Sequence, residues 1–256
     1  MPDPVVITRP LAQAASLAQK VAAIGRDAVV FPLLEIQPLS DRTGLQAAFS
    51  NLHDYALIAF VSPNAIDAAF SVVREWPRDI LFAVVGEGSR AALAQHGMTA
   101  ANARIVSPRD PQRTDSQTLL EALDLAMLKS KRALIVRGQT GRELLADALR
   151  AAGVQVTQVA AYRRTAPVLD QARCAQLLGL VSSDNDWVVT SSEALHNLLG
   201  MVQQVTDKSG VAKMQQQRVI VPHIRIQETA QALGFCNIIL TGSGDERLLA
   251  ALQSSA

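Results

Sequence analysis

The chain alternates short apolar runs with longer stretches in which apolar and polar positions follow the helical period. The runs predict strands near residues 5–8, 28–31, 57–61, 82–85 and 104–106 in the first half of the chain. In the second half they predict strands near residues 133–136, 155–159, 187–190, 219–221 and 237–240. Continuous apolar strands joined by helices form parallel sheets that are covered on both faces, so the pattern predicts an α/β fold.

Four glycines mark the predicted helix ends. Gly25, Gly97, Gly153 and Gly234 each follow an amphipathic stretch and lead directly into a strand. Glycine favours the left-handed conformation that commonly ends a helix, so each of these positions predicts a helix-to-strand joint.

The second half of the chain repeats the pattern of the first. Residues 134–164 align with residues 6–36 without a gap, so that Arg137 falls on Arg9 and Leu145 on Leu17. Each copy has a strand, an arginine at its end, a helix, a glycine and a second strand. A single internal repeat predicts two similar lobes, and two lobes enclose a cleft.

The boundaries between the lobes do not follow simply from the repeat. Two segments that contain prolines, residues 31–39 and 159–167, occupy equivalent positions in the two copies. Each is predicted as a strand able to leave one sheet and enter another. The residues alone leave open a tandem arrangement and one in which the chain crosses between lobes at both segments.

Composition restricts the classes of function. The 256 residues are 49% hydrophobic and 18% charged, with a formal net charge of +1, so no overall field favours nucleic acid or an anionic membrane. The excess of arginine over lysine suits carboxylate binding, although a GC-rich genome produces the same excess. Cys174 and Cys236 match no metal or redox spacing and are predicted to be reduced packing residues. The sequence shows no secretory signal and no apolar run long enough to span a bilayer, which predicts a cytoplasmic protein.

Candidate chemistry lies at the predicted carboxyl ends of the strands, where parallel sheets bind ligands and helices present free N–H groups. The residues there are mainly hydroxyl-bearing residues, glycine and arginine. They include Arg9, Ser62, Pro63, Asn64, Gly86, Ser89, Arg137, Gly138, Arg142, Ser191, Ser192, His223 and Arg225. Helix capping explains any one of the polar residues, but their number in both lobes suits a polyanionic ligand.

Strong catalytic motifs are absent from the sequence. It has no phosphate-binding loop ending in Gly-Lys-Ser/Thr, no GxSxG or HExxH motif, and the GEGSR turn lacks the third glycine of a dinucleotide site. The carboxylate pairs Asp110/Asp115 and Asp184/Asp186 are predicted to be solvated loop charges, and the scattered histidines to be surface or capping residues. His223 is kept as a candidate, because it opens a helix at the end of a strand. The pattern favours a site that binds and shapes its substrate.

Tyr162 is the leading single candidate for catalysis. It is one of two tyrosines and precedes Arg163 and Arg164 in a segment where the chain could cross between lobes. A tyrosine there could be a packing residue with a satisfied hydroxyl, or a phenol that transfers a proton to a departing water.

The motifs together resemble the uroporphyrinogen-III synthase family over essentially the whole chain. They are ITRP with FPLLEI, FVSPNA, VVGEGSRAAL, LIVRGQTGRELLADALRAAGVQV with VAAYRR, and VVTSSEAL. Each motif is weak alone, whereas their order and spacing are specific. The resemblance implies two α/β lobes joined by a two-stranded β connection, with a cleft between them. It favours one lobe of residues 1–36 plus 167–256, another of residues 39–160, and crossovers near 33–39 and 159–167.

The resemblance also implies an activity in haem biosynthesis. The family cyclises hydroxymethylbilane, a linear tetrapyrrole, to uroporphyrinogen III with loss of water and inversion of ring D, as a cyclising hydro-lyase without metal or organic cofactor. By motif position, Ser62, Ser89 and Ser191 match substrate-facing hydroxyls. Tyr162 matches the family's tyrosine, which would act as a proton donor that aids loss of the hydroxyl or as an orienting group. The turn at His223 and Arg225 departs from the Gly-Pro-Thr pattern of many relatives, although Arg225 could bind a carboxylate instead.

Two alternatives belong to other classes. A non-enzymatic two-lobed protein could close on a small ligand, and an inactive homologue of the synthase could carry the altered turn. The expected partner is the polycarboxylate substrate, with no nucleic acid and no membrane. We expect a monomer and leave open a transient contact with the preceding enzyme of the pathway.

Overall fold

The computed structural model describes residues 3–109 and 115–254. Its contacts divide the chain into two units of similar size. Unit 1 consists of residues 1–35 and 165–256, and unit 2 of residues 36–164. The chain therefore passes from unit 1 into unit 2 and returns once.

Unit 1 is an α/β unit with a five-stranded sheet. Its elements are β1 (Val5–Ile7), α1 (Leu11–Ala23), β2 (Ala28–Val30), α8 (Gln171–Ser182), β9 (Asp186–Val188), α9 (Ser192–Val205), α10 (Lys208–Gln216), β10 (Arg218–Val221), α11 (Ile224–Ala232), β11 (Asn237–Leu240) and α12 (Asp245–Gln253). The strand order is β11-β10-β9-β1-β2, and all neighbours are parallel.

Unit 2 has the same architecture with one additional edge strand. Its elements are β3 (Glu35–Pro38), α2 (Thr43–Ser50), β4 (Tyr55–Phe60), α3 (Pro63–Phe70), β5 (Leu81–Val84), α4 (Glu87–Gln95), β6 (Arg104–Val106), α5 (Ser116–Ala122), α6 (Leu125–Leu128), β7 (Arg132–Gly138), α7 (Leu144–Ala151) and β8 (Gln155–Thr165). The strand order is β3-β8-β7-β4-β5-β6.

The sequence repeat maps one sheet onto the other. β1 and β2 correspond to β7 and β8, while β4, β5 and β6 correspond to β9, β10 and β11, and these corresponding strands have the same order in the two sheets. Each unit therefore combines the first two strands of one repeat with the last three strands of the other. The internal duplication thus yields two similar units, each built from both halves of the chain.

Both faces of each sheet are buried, as the continuous apolar strands predict. In β4, Ile58 and Phe60 pack on one face with α2, α3 and α4, whereas Leu57 and Ala59 pack on the other with α5, α6 and α7. In unit 1, Val6 and Trp187 face α8, α9, α10 and α11, and the alternate strand residues face α1 and α12. Every apolar cluster is complete within its own unit.

The four predicted helix stops are confirmed. Gly25, Gly97, Gly153 and Gly234 have positive φ angles of 77°, 80°, 81° and 83°. One strand prediction is wrong, because residues 31–39 do not form a continuous strand. β2 ends at Val30 and β3 begins at Glu35, with buried Phe31, Leu33 and Leu34 between them.

Three other sequence predictions need correction. Asp186 is not a solvated loop charge but is buried in an ion pair with Arg26, and Asp115 caps α5 through the N–H group of Thr118. Asp110 lies outside the described residues. Cys174 is half-buried, but Cys236 is exposed and is therefore not a packing residue.

Candidate functional site

The strand order places a crevice at the carboxyl edge of each sheet. In unit 1, the chain leaves β1 and β9 in opposite directions, since β1 leads to β2 and β9 leads to β10. β7 and β4 have the same relation in unit 2. Adjacent strands whose connections diverge leave an opening at their carboxyl ends, where ligands of α/β proteins bind.

In unit 2 this edge is formed by the turn after β4. Ser62 is the N-cap of α3, and its Oγ accepts a hydrogen bond from the N–H of Ala65 at 3.2 Å. Pro63 is the first helical residue, where a missing N–H costs nothing, and Asn64 follows it half-buried. The capping explanation therefore holds for Ser62, but it does not account for all of the contacts of this hydroxyl.

The second contact of Ser62 is with Tyr162. The Tyr162 Oη lies 2.9 Å from Ser62 Oγ, and the tyrosine is only 4% exposed. Tyr162 lies near the end of β8, opposite Gly138 of β7. The structure thus brings together Ser62, Gly138 and Tyr162, which the sequence places in three separate motifs.

Arg137 precedes Gly138 in β7, and its charge is already balanced. Its Nη1 donates to Gln158 Oε1 at 2.8 Å and to Glu143 Oε1. The hydrogen bond from Gln158, followed by that from Arg137, lowers the pKa of the Glu143 carboxyl below its ordinary value. Arg142 is exposed and has no ion-pair partner among the described residues.

The turn after β5 contributes mainly backbone polar groups, and few side-chain ones, to the carboxyl edge of the sheet. Gly86 is the N-cap of α4 and has extended backbone, so it presents no side-chain acceptor to the helix. Ser89 lies in the first turn of α4 and is only 4% exposed. The N–H groups at the start of this helix are the polar groups that the turn offers.

In unit 1, the arginine after β1 is also paired with a carboxylate. Arg9 Nη1 lies 2.7 Å from Asp245 Oδ1, and Lys20 Nζ lies 2.9 Å from Asp245 Oδ2. Burial alone would raise the pKa of Asp245, but the hydrogen bonds and charges of Lys20 and Arg9 outweigh it and lower the pKa. Arg9 is thus held at the carboxyl edge by an acid from α12.

The turn after β9 presents two hydroxyls. Ser191 is the N-cap of α9 and makes no side-chain capping hydrogen bond. Ser192 Oγ lies 2.9 Å from Thr229 Oγ1, and Thr229 donates to the Arg225 carbonyl at 2.8 Å. Since the Thr229 proton is used in that bond, Ser192 donates to Thr229.

The turn after β10 is closed by a histidine. His223 is the N-cap of α11, and its Nδ1 accepts from the Arg225 N–H at 3.1 Å. Nδ1 therefore carries no proton in this arrangement, and the neutral ring has its proton on Nε2. His223 therefore caps α11 with its side chain, and Arg225 is exposed beside it.

Thr229 was missed by sequence reasoning. It lies four residues after Arg225 in α11, away from the end of any strand. The only signal in the sequence was the helical period, which places residues i and i+4 on one face.

A separate open pocket of about 440 Å³ lies at the opposite edge of the unit 2 sheet, where β4 and β7 begin. Tyr55 and Arg132 line it, with the Arg132 guanidinium 4.8 Å above the Tyr55 ring. None of the sequence-predicted site residues lines this pocket.

Within residues 3–109 and 115–254, no three His, Cys, Asp or Glu side chains are arranged to hold a metal ion. None of the helices in these ranges has the length and apolar character needed to span a bilayer.

The sequence of this chain matches those of known proteins. The family model described as "Uroporphyrinogen-III synthase HemD" matches residues 15–245. The uroporphyrinogen-III synthase of Escherichia coli K12 is 32% identical over 97% of this chain and 99% of its own length. The synthase of Salmonella typhimurium LT2 is 30% identical over the same shares of the two chains.

Two solved structures have the same fold. The Helicobacter pylori uroporphyrinogen-III synthetase superposes with a TM-score of 0.65 at 13% identity and covers 99% of this chain and 100% of its own. A mutant uroporphyrinogen III synthase from Thermus thermophilus gives a TM-score of 0.59 at 13% identity with the same coverage. The family match across most of the sequence, together with the two relatives that align over nearly their full length, shows that this chain belongs to the uroporphyrinogen-III synthase family.

Proposed function

We propose that this chain is an active uroporphyrinogen-III synthase that cyclises hydroxymethylbilane to uroporphyrinogen III with loss of water and inversion of ring D. It acts as a cyclising hydro-lyase that needs no metal or organic cofactor. The observation that carries the proposal is the Tyr162 phenol, held 2.9 Å from Ser62 at the carboxyl edge of unit 2. The comparisons give no support to the alternative of a non-enzymatic two-lobed binding protein.

The first step breaks a C–O bond. The Tyr162 hydroxyl can act as a general acid and donate its proton to the departing hydroxyl group, which leaves as water. The rest of the substrate becomes a protonated azafulvene, and the proton that ring closure finally releases returns to the phenolate. The Ser62 hydroxyl already accepts a hydrogen bond from the Ala65 N–H, so its own proton can stabilise the phenolate that forms.

The second step determines which isomer forms. The azafulvene carbon is attacked by the substituted carbon of ring D, which gives a spirocyclic pyrrolenine that fragments and recloses with ring D inverted. Attack at the unsubstituted carbon would give the symmetrical isomer. Because the two paths differ mainly in orientation of a flexible chain, holding the substrate in one geometry supplies most of the catalysis.

The polar groups at the carboxyl edges suit the eight carboxylates of the substrate. The N-termini of α3, α4, α9 and α11 offer backbone N–H groups, which bind anions without a large net positive charge. The Ser191 hydroxyl and the exposed Arg142 and Arg225 add side-chain donors. Two exposed apolar residues begin helices at these edges. Leu11, in α1, is 72% exposed and Ile224, in α11, is 48% exposed, so both suit contact with pyrrole rings.

The test is an isomer assay. Hydroxymethylbilane is generated in situ, the purified chain is added, and the products are oxidised and separated as porphyrin isomers. We expect the type III isomer to dominate, whereas the spontaneous reaction gives type I. A product mixture no richer in type III than the protein-free control would contradict the proposal and favour an inactive homologue.

The Tyr162→Phe variant tests the proton donor. We expect turnover to fall by about 100-fold, because loss of a positioned general acid typically costs that much or more. The matched control is Tyr55→Phe, which changes the other tyrosine at the opposite edge of the same sheet and should leave turnover unchanged. Unchanged turnover in Tyr162→Phe would remove this residue from the chemistry.

The monomeric state and a transient contact with the preceding enzyme remain predictions. Equilibrium sedimentation of the purified chain tests the first directly.

A further inference from the structure

The Tyr162 ring packs directly against the backbone of Gly138. A Cβ atom at position 138 would lie 3.0 Å from Tyr162 Cζ and 3.2 Å from its Oη. We propose that Gly138 and Ser62 are positioning residues that together fix the Tyr162 hydroxyl for proton transfer. Gly138 sets how closely the ring approaches β7, and Ser62 sets where the hydroxyl points. This inference rests on the proposed function of Tyr162.

A local irregularity in the sheet produces this approach. β7 and β8 pair in register as far as Arg137 and Ala160, but the next pair is Gly138 with Tyr162, so Ala161 is an extra residue in β8. The N–H of Gln139 donates to the Tyr162 carbonyl at 2.8 Å and holds the shifted backbone. Irregularities of this kind re-aim side chains and are found next to active sites.

The internal repeat shows that the fold does not require this contact. In the ungapped alignment of the two copies, Gly138 corresponds to Pro10 and Tyr162 corresponds to Leu34. β1 and β2 nevertheless pair in parallel as β7 and β8 do. The Gly–Tyr contact is therefore specific to unit 2, which is where the proposed proton donor lies.

The contact predicts a particular kinetic effect. In Gly138→Ala, the added methyl group is closer to the ring than ordinary contacts allow, so the ring moves by a few tenths of an ångström and takes the hydroxyl with it. We expect kcat to fall about tenfold with KM changed less than about twofold, since a misplaced catalytic group slows the chemical step more than it weakens binding. Gly179→Ala, where a Cβ meets nothing within 4 Å, is the matched control.

A spectroscopic measurement reports the hydroxyl without relying on activity. The chain has two tyrosines, so labelling with ¹³C at tyrosine Cζ gives two signals, and Tyr55→Phe assigns them. We expect Gly138→Ala and Ser62→Ala each to move the Tyr162 signal and Gly179→Ala to leave it in place. Ser62→Thr keeps a hydroxyl at the cap and should restore both the signal and kcat relative to Ser62→Ala.

The outcomes separate this inference from the proposed function. If the wild-type chain makes no excess of type III isomer, the proposed function fails, whatever the spectra show. If the wild type is active but Gly138→Ala leaves the Tyr162 signal or kcat unchanged, the positioning inference is overturned. A rise in KM with kcat preserved would also overturn it, because Gly138 would then contact substrate.

Discussion

Asp186 and Arg26 form a buried ion pair at the amino end of β9. Their side chains are each 4% exposed, and Asp186 Oδ2 lies 2.8 Å from Arg26 Nη2. Arg218 Nη1 lies 3.3 Å from the same carboxylate. Burying charges is costly unless they are paired, so removing one partner leaves the other uncompensated. A single substitution in this pair is therefore expected to lower the stability of unit 1.

Asp186→Asn should lower the free energy of unfolding of unit 1 by about 3 kcal/mol, the usual cost of breaking a buried ion pair. Trp187 lies in unit 1 and Trp76 in unit 2, so a Trp76→Phe background makes the fluorescence of Trp187 specific for unit 1. We expect the urea midpoint to fall by about 1 to 3 M. In Asp184→Asn, which neutralises an exposed carboxylate of the same unit, the change should stay below about 0.5 kcal/mol.

The lowered pKa of Asp245 predicts that the stability of the fold depends on pH. Its pKa is lowered from 3.8 in the folded chain, so the ionised carboxylate stabilises the fold at pH values above that range. This contribution is lost as the pH falls through the lower folded pKa. At pH 7, Asp245→Asn should be less stable than wild type by about 1 kcal/mol or less, because the pair is partly solvated. The difference should vanish once the pH is below the lowered pKa of the folded chain, and a difference independent of pH would contradict the assignment.

At the scale of elements, the helix ends are decided by local sequence. Gly25 ends the segment after α1 with a φ of 77°, and a Cβ there would meet nothing within 4 Å. The cost of a side chain at this position is therefore purely conformational. Such joints were predictable from sequence because the left-handed conformation depends on the residue itself and not on its distant neighbours.

Gly25→Ala should lower the free energy of unfolding by about 1 kcal/mol, the cost of a β-carbon in the left-handed region. Gly179→Ala, in the interior of α8, should instead leave stability unchanged or raise it by up to about 1 kcal/mol. Urea unfolding followed by Trp187 fluorescence compares the two variants. A loss of stability in both would show that packing, and not backbone conformation, sets the effect.

At the scale of the whole molecule, the cores close within each unit. The two apolar clusters of unit 2 contain residues from Leu45 to Tyr162 only, and the other two clusters belong to unit 1. Unit 2 is also continuous in sequence, which unit 1 is not. Domains with their own core can fold alone when few contacts cross their boundaries.

A chain of residues 36–164 should therefore fold alone. We expect a cooperative urea transition followed by Trp76, which packs against Phe60 and Phe82 in this unit. The fragment should not enrich the type III isomer, because Ser191 and the other donors of unit 1 are missing. A gradual change in fluorescence with no folded-state baseline at low urea would contradict independent folding.

The site shows where sequence reasoning reaches its limit. Ser62 and His223 could be chosen because they follow buried strands, where parallel sheets bind ligands. Tyr162 could be chosen because it is one of two tyrosines and lies in a segment where the chain could cross between lobes. The partners of Arg9 and Arg137 could not be chosen, because the pattern does not show that Asp245 lies beside Arg9 or that Glu143 and Gln158 lie beside Arg137. Asp186 was mistaken for a loop charge because its partner Arg26 lies in the opposite half of the chain.

Local residue type and the order of motifs establish the α/β class, the glycine helix ends, the internal duplication and the family. The folded structure alone shows which strands are neighbours, which carboxylates neutralise Arg9 and Arg137, and that the Tyr162 hydroxyl contacts Ser62. Those outcomes depend on contacts between residues far apart in the chain. Hydrogen-bond geometry and burial, which select among such contacts, are properties of the folded chain and are absent from any single segment.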